Sequence, residues 1–121
     1  MTDEPPFHQV WFRLIGRDVA PCANLHEWSR GLLTSERWVG STNVGPFNVS
    51  TVFIGFDHNQ TREAPRIFET MILVNETGFK WNGEYRVHSD TWLDAEQEHK
   101  RTIDHAIELT KKHTTFLRRN R

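Results

Sequence analysis

Two long runs of β-forming residues constrain this chain more than any other feature. Val49-Ser50-Thr51-Val52-Phe53-Ile54-Gly55-Phe56-Asp57 and Arg66-Ile67-Phe68-Glu69-Thr70-Met71-Ile72-Leu73-Val74 flank a polar loop over 58–65. Runs this rich in Val, Ile, Phe and Thr read as strands, and so short a loop returns the second antiparallel to the first. A regular pairing that sets Ile67 opposite Asp57 puts Ser50, Val52, Ile54 and Phe56 on one face with Phe68, Thr70, Ile72 and Val74. The other face then carries Thr51, Phe53, Gly55 and Asp57 with Ile67, Glu69, Met71 and Leu73. Apolar residues on both faces mark strands in the middle of a sheet.

The remaining elements fall around this pair. Residues 8–15 alternate as a strand, and 16–22 is a loop. Asn24 and Glu27 form a capping-box-like pair before Leu25, Trp28 and Leu32, which recur at helical spacing up to about 33–35. A strand over 37–43 turns through Gly45-Pro46 into 48–57, which is a hairpin signal. Residues 84–88 make a short last strand. Thr91 and Asp94 cap a helix from 91 to 114, with Trp92, Ala95, His99, Ile103, Ala106 and Thr110 along its apolar stripe. The expected fold is α+β: an antiparallel sheet of four to five strands, with a short helix and a long C-terminal helix on one face.

With 121 residues the chain is one domain, expected to have a flexible N-terminus at 1–6 and a basic C-terminal tail at 115–121. Residues 111–121 hold Lys111, Lys112, Arg118, Arg119 and Arg121 and no acid, which leaves a net charge of −6 on the rest. An acidic body disfavours a nucleic-acid partner except through the tail. The start of the chain shows no apolar leader, and no run reaches the ~20 apolar residues of a membrane span, so the expected location is the cytoplasm. The single cysteine, Cys22, excludes an internal disulfide and a Cys-based zinc site. It reads as a packing residue, with a thiolate favoured only if the helix start lies close by.

The segments Val49 to His58 (V-S-T-V-F-I-G-F-D-H) and Phe68-Glu69-Thr70-Met71 carry a resemblance. Thr91-Trp92 with Ala95 and His99, Leu25 to Arg30, and Val44-Gly45 extend it. Together they are similar to a family of small proteins encoded mainly by bacteriophages and bacterial mobile elements. The resemblance covers about 18–105. Residue 98 is Glu where the pattern has Gly, and 57–65 lacks the glycines usual there. The resemblance implies a phage-type accessory protein acting in the cytoplasm of a bacterial host, and carries over no catalytic residue.

The chemistry-bearing residues are sparse. Asp57 and His58 end the first long strand, Glu69 lies on the second, and His99 sits on the helix stripe. Adjacent strand residues point to opposite faces, so Asp57 and His58 share a pocket only across a bulge. His99 is a hydrogen-bonded core residue or a pH-sensitive group beside Thr70 or Glu69. Phosphate-loop, nucleophile-elbow and helical zinc motifs are absent from the sequence. The leading expectation is a non-enzymatic binder of a host protein or a small nucleotide-like signal, serving host takeover or counter-defence, with no cofactor or metal. Its expected ligand residues are Arg30, Arg37, Thr51, Asp57, His58, Glu69, Thr70 and His99, where arginine grips phosphate and a Trp or Phe ring stacks on a base. Trp11, Trp38, Phe53 and Trp81 beside Arg13, Arg30 and Arg37 also invite a nucleic-acid stacking reading, but the acidic body makes most of these rings core. One alternative is a small metal-dependent hydrolase or nuclease built from Asp57, Glu69 and His99. Another is a homo-oligomer, such as a twofold dimer, joined through Phe53, Met71 and Leu73.

Overall fold

The computed structural model describes residues 11–32, 35–57 and 66–119. The Gly45-Pro46 hairpin joins β3 (Trp38–Val44) to β4 (Phe47–Phe53). Val44 pairs with Phe47, so only two residues make the turn. Gly45 has φ +57, as a type II′ hairpin turn requires at its first position when proline fills the second. β5 (Phe68–Val74) and β6 (Arg86–Ser89) complete a four-stranded antiparallel sheet in the order β3-β4-β5-β6. The α+β expectation holds, with one difference. β1 (Phe12–Ile15) and β2 (Asp18–Pro21) form a separate two-stranded sheet, so part of the expected 16–22 loop is a strand.

Both capping pairs form. Asn24 Oδ1 accepts from Glu27 N at 2.9 Å, and Glu27 Oε2 accepts from Ala23 N at 2.8 Å, opening α1 (Leu25–Gly31). Thr91 Oγ1 accepts from Asp94 N at 3.1 Å at the head of α2 (Trp92–Arg119). α2 runs past the expected end near 114, so Arg118 and Arg119 belong to the helix and not to a separate tail. The expected flexible segment 1–6, the start of the 8–15 strand and the 58–65 loop lie outside the described residues.

The register of β4 against β5 corrects the sequence reading. Thr51 pairs with Thr70, Val52 with Glu69 and Phe53 with Phe68. The buried face therefore combines Phe47, Val49, Thr51 and Phe53 with Phe68, Thr70 and Ile72. Glu69 and Met71 lie on the other side with Ser50 and Val52. The physical reason is a bulge after β4. Ile54 N and Gly55 N both donate to Ile67 O, at 2.8 and 3.1 Å, so two residues oppose one. The regular pairing puts Ile67 opposite Asp57, three residues beyond Ile54, and an odd displacement exchanges the faces as a one-residue slip does.

α2 crosses all four strands of the larger sheet on one side. Its inward stripe is Ala95, His99, Thr102 and Ala106, all buried. The core beneath it has three parts. Phe47, Val49, Ile72 and Ala106 form one apolar cluster, and Phe53, Ile67, Phe68 and Ala95 form another. Thr51, Thr70 and His99 lie between them in sequence register. Phe12, Leu14 and Val19 of the small sheet pack against the second cluster.

Gly45 also sits against α2. A β-carbon there would meet Thr110 Cγ2 at 2.6 Å, while Thr110 Oγ1 donates to Ala106 O at 2.8 Å. Gly45→Ala should therefore lower folding stability by about 2 kcal/mol, the left-handed backbone cost plus a displaced threonine. Urea unfolding measures this, and a loss under about 0.5 kcal/mol would refute the close packing of turn on helix.

Candidate functional site

The expected site residues do not converge. His99 is 8% exposed and sits inside the core. Its Nδ1 lies 2.7 Å from Thr51 Oγ1 and its Nε2 lies 2.9 Å from Thr42 Oγ1. Thr51 Oγ1 is in turn 2.8 Å from Thr70 Oγ1. A neutral imidazole donates through one nitrogen and accepts through the other, and each hydroxyl can do either, so the four groups satisfy one another. Burial holds the His99 pKa below its ordinary value and so favours the neutral form. Thr51, Thr70 and His99 are therefore a polar layer of the core and not a ligand surface.

Glu69 lies on the opposite face of the sheet. Its Oε2 is 3.1 Å from His88 Nε2 on the directly paired strand position, and 3.9 Å from Arg86 Nε. Asp57 is buried at 4% exposure, beyond the bulge. The sheet stands between Glu69 and His99, so the residues of the hydrolase alternative do not meet in one site. Among the described residues no cluster of three His, Cys, Asp or Glu side chains could hold a metal ion. Arg30 is exposed in the last turn of α1, and the Arg37 guanidinium lies 5.3 Å above the Trp38 ring. His58 lies outside the described residues. Phe53, expected on an open sheet face, is buried at 3%, which removes it from the proposed oligomer surface.

Cys22 is also buried, at 3%. Burial first, and then the Glu27 carboxylate, push its thiol pKa up against the opposite pull of Arg13. The thiolate is disfavoured there, contrary to the option of a helix-start activation.

The residues that do converge are mostly aromatic. Trp11, Trp28, Ile54, Phe56 and Glu69 line a hollow of about 410 Å³. α1 brings Trp28 to it, and the Trp28 indole Nε1 donates to Ile54 O at 2.8 Å, which fixes the ring. Trp11 bridges to Phe56 across the chain, and its ring centroid is 4.9 Å from both Trp28 and Phe56. The bulge at Ile54-Gly55 lets this happen, since it turns the chain after β4 towards Trp11. Glu69 supplies the one ionisable group in the lining among the described residues, with its side chain 15% exposed. Trp11 was a sequence candidate for stacking, but Trp28, Ile54 and Phe56 were not. Trp28 on a short amphipathic helix was the signal available, and it read as packing.

A second hollow, of about 320 Å³, is lined by Arg17, Asp18, Thr91, Trp92, Leu93 and Glu96. Arg17 fills part of its rim, 5.3 Å above the Trp92 ring and 3.5 Å from Glu96. Among the described residues no helix is long and apolar enough to cross a membrane. Comparison with protein-family models, with curated proteins and with solved structures finds no match.

Proposed function

We propose that this chain is a non-enzymatic binding protein that docks on a partner protein through the hollow at Trp11, Trp28, Ile54, Phe56 and Glu69. One observation carries the reading: a preformed hollow with aromatic walls, each ring held by its neighbours, on the side of the sheet away from α2. Rings of this kind contribute most of the energy at protein interfaces, because they bury large area at little entropic cost. The phage-type resemblance makes a host protein the partner class, and host takeover or counter-defence the setting.

The nucleotide-like signal fits this hollow less well. Among the described residues its lining holds no arginine or lysine, and its one charge is a carboxylate. A phosphate would be repelled there.

Site-specific photo-cross-linking in host cells tests the reading. A benzophenone amino acid at position 54, inside the hollow, should trap one host protein. The same group at the exposed position 93 on α2 should trap none. Cross-links from 93 with none from 54 would overturn the proposal.

A further inference from the structure

We infer that the hollow recognises an arginine side chain of the partner, an inference that rests on the binding reading above. Three observations point to a planar cation. First, the lining is mostly aromatic and its one ionisable group among the described residues is the Glu69 carboxylate, a setting that attracts a cation to an indole ring. Second, Glu69 still has an oxygen to offer. Its contacts with His88 and Arg86 both fall on Oε2, and Oε1 accepts from none of the described residues. Third, the chain stacks guanidinium on indole elsewhere within itself. Arg17 lies over Trp92 and Arg37 over Trp38, each 5.3 Å from the ring centroid.

The Trp28 indole N–H donates to Ile54 O, so that donor is already engaged. That again selects against an anion. Guanidinium is favoured over ammonium because it is flat, less strongly hydrated, and able to stack and donate to a carboxylate at once. An incoming arginine would lie against Trp28 and Trp11 and donate to Glu69 Oε1. The net −6 over residues 1–110 would speed the approach of a basic surface.

The test is a titration of the ¹⁵N-labelled protein, read at the indole resonances of Trp11 and Trp28. The probes are N-acetyl-arginine amide, N-acetyl-lysine amide and AMP. The arginine probe should move both resonances at lower concentration than the lysine probe, and AMP should move neither. Glu69→Gln, which can keep a hydrogen bond to His88, should weaken the arginine response about tenfold with the thermal midpoint little changed. Equal responses to arginine and lysine, or an arginine response unaffected in Glu69→Gln, would overturn the inference. AMP moving these resonances without arginine doing so would also overturn it, and would leave the hollow as a binding site. Silence towards all three probes overturns it too. The cross-linking outcome at position 54 then decides the binding reading separately.

Discussion

Gly55→Ala is expected to lower folding stability by about 3 kcal/mol or more. Two costs combine. Gly55 has φ +67, a backbone region that costs an L-residue about 1–2 kcal/mol. The added β-carbon would also stand 2.7 Å from the Phe12 carbonyl oxygen and 2.7 Å from Trp28 Nε1. Phe12 N donates to Gly55 O at 2.8 Å, which ties the two backbones together and leaves the Phe12 carbonyl little room to retreat. The indole can move only by breaking its bond to Ile54 O. The small sheet and α1 should thus loosen together from the bulge. Urea unfolding measures the loss, and indole fluorescence should redshift in the native baseline as Trp11 and Trp28 gain water. A loss below about 1 kcal/mol would show that the bulge is not where the two sheets are joined.

The second large effect is acid sensitivity set by His99. Burial depresses its folded pKa below the ordinary 6.5. The folded chain therefore binds fewer protons than the unfolded chain once the pH falls below about 6.5. The stability that this neutral histidine contributes is fully present above that pH. It is lost as the pH falls towards and through the depressed folded value, and levels off below it. The urea midpoint should hold steady from pH 8 to 7 and drop between 6.5 and 5. His99→Gln should remove that part of the drop, while costing stability at neutral pH. An unchanged slope in His99→Gln would assign the acid sensitivity to other groups. Thr51→Val is the companion variant. It takes one partner from His99 Nδ1 and another from Thr70, and leaves buried polar atoms unpaired, a cost of about 2–3 kcal/mol.

Local signals were legible in the sequence because local physics makes them. Asn24 with Glu27, Thr91 with Asp94, and Gly45-Pro46 each determine a helix start or a turn within four residues, and each formed as read. The α2 stripe was equally plain from its spacing. Strand register was not, because β4 stops pairing at Phe53 and bulges at Ile54-Gly55, where two amides share one carbonyl, so Ile67 lies three residues short of the regular position opposite Asp57. That error propagated to function. It placed Thr51 on the face of Glu69 and across the sheet from Thr70, its true partner, and hid the hollow beside the bulge. His99 reads beside Thr70 from the sequence, but Thr51 joins them only in the true register, and the three form a buried layer where the sequence suggests ligand residues. Nothing in their types distinguishes a buried satisfied network from a site, since both need polar groups that face each other.

The layer of threonine and histidine between two apolar clusters also determines where α2 can stop. An apolar stripe repeats every turn, so greasy contact alone would hold the helix nearly as well after a slide of one turn, about 5.4 Å. Such a slide would bring Ala95 or Ile103, four residues either side of His99, opposite Thr51. The hydroxyls of Thr42 and Thr51 would then face hydrocarbon. Each orphaned group costs about 1–3 kcal/mol, a penalty that falls on every displaced position and not on the native one. The three side chains work as a detent: they add modestly to the grip on the helix while making one of its several comfortable positions the only quiet one. A core rebuilt entirely in valine and leucine would grip α2 as firmly and index it less well.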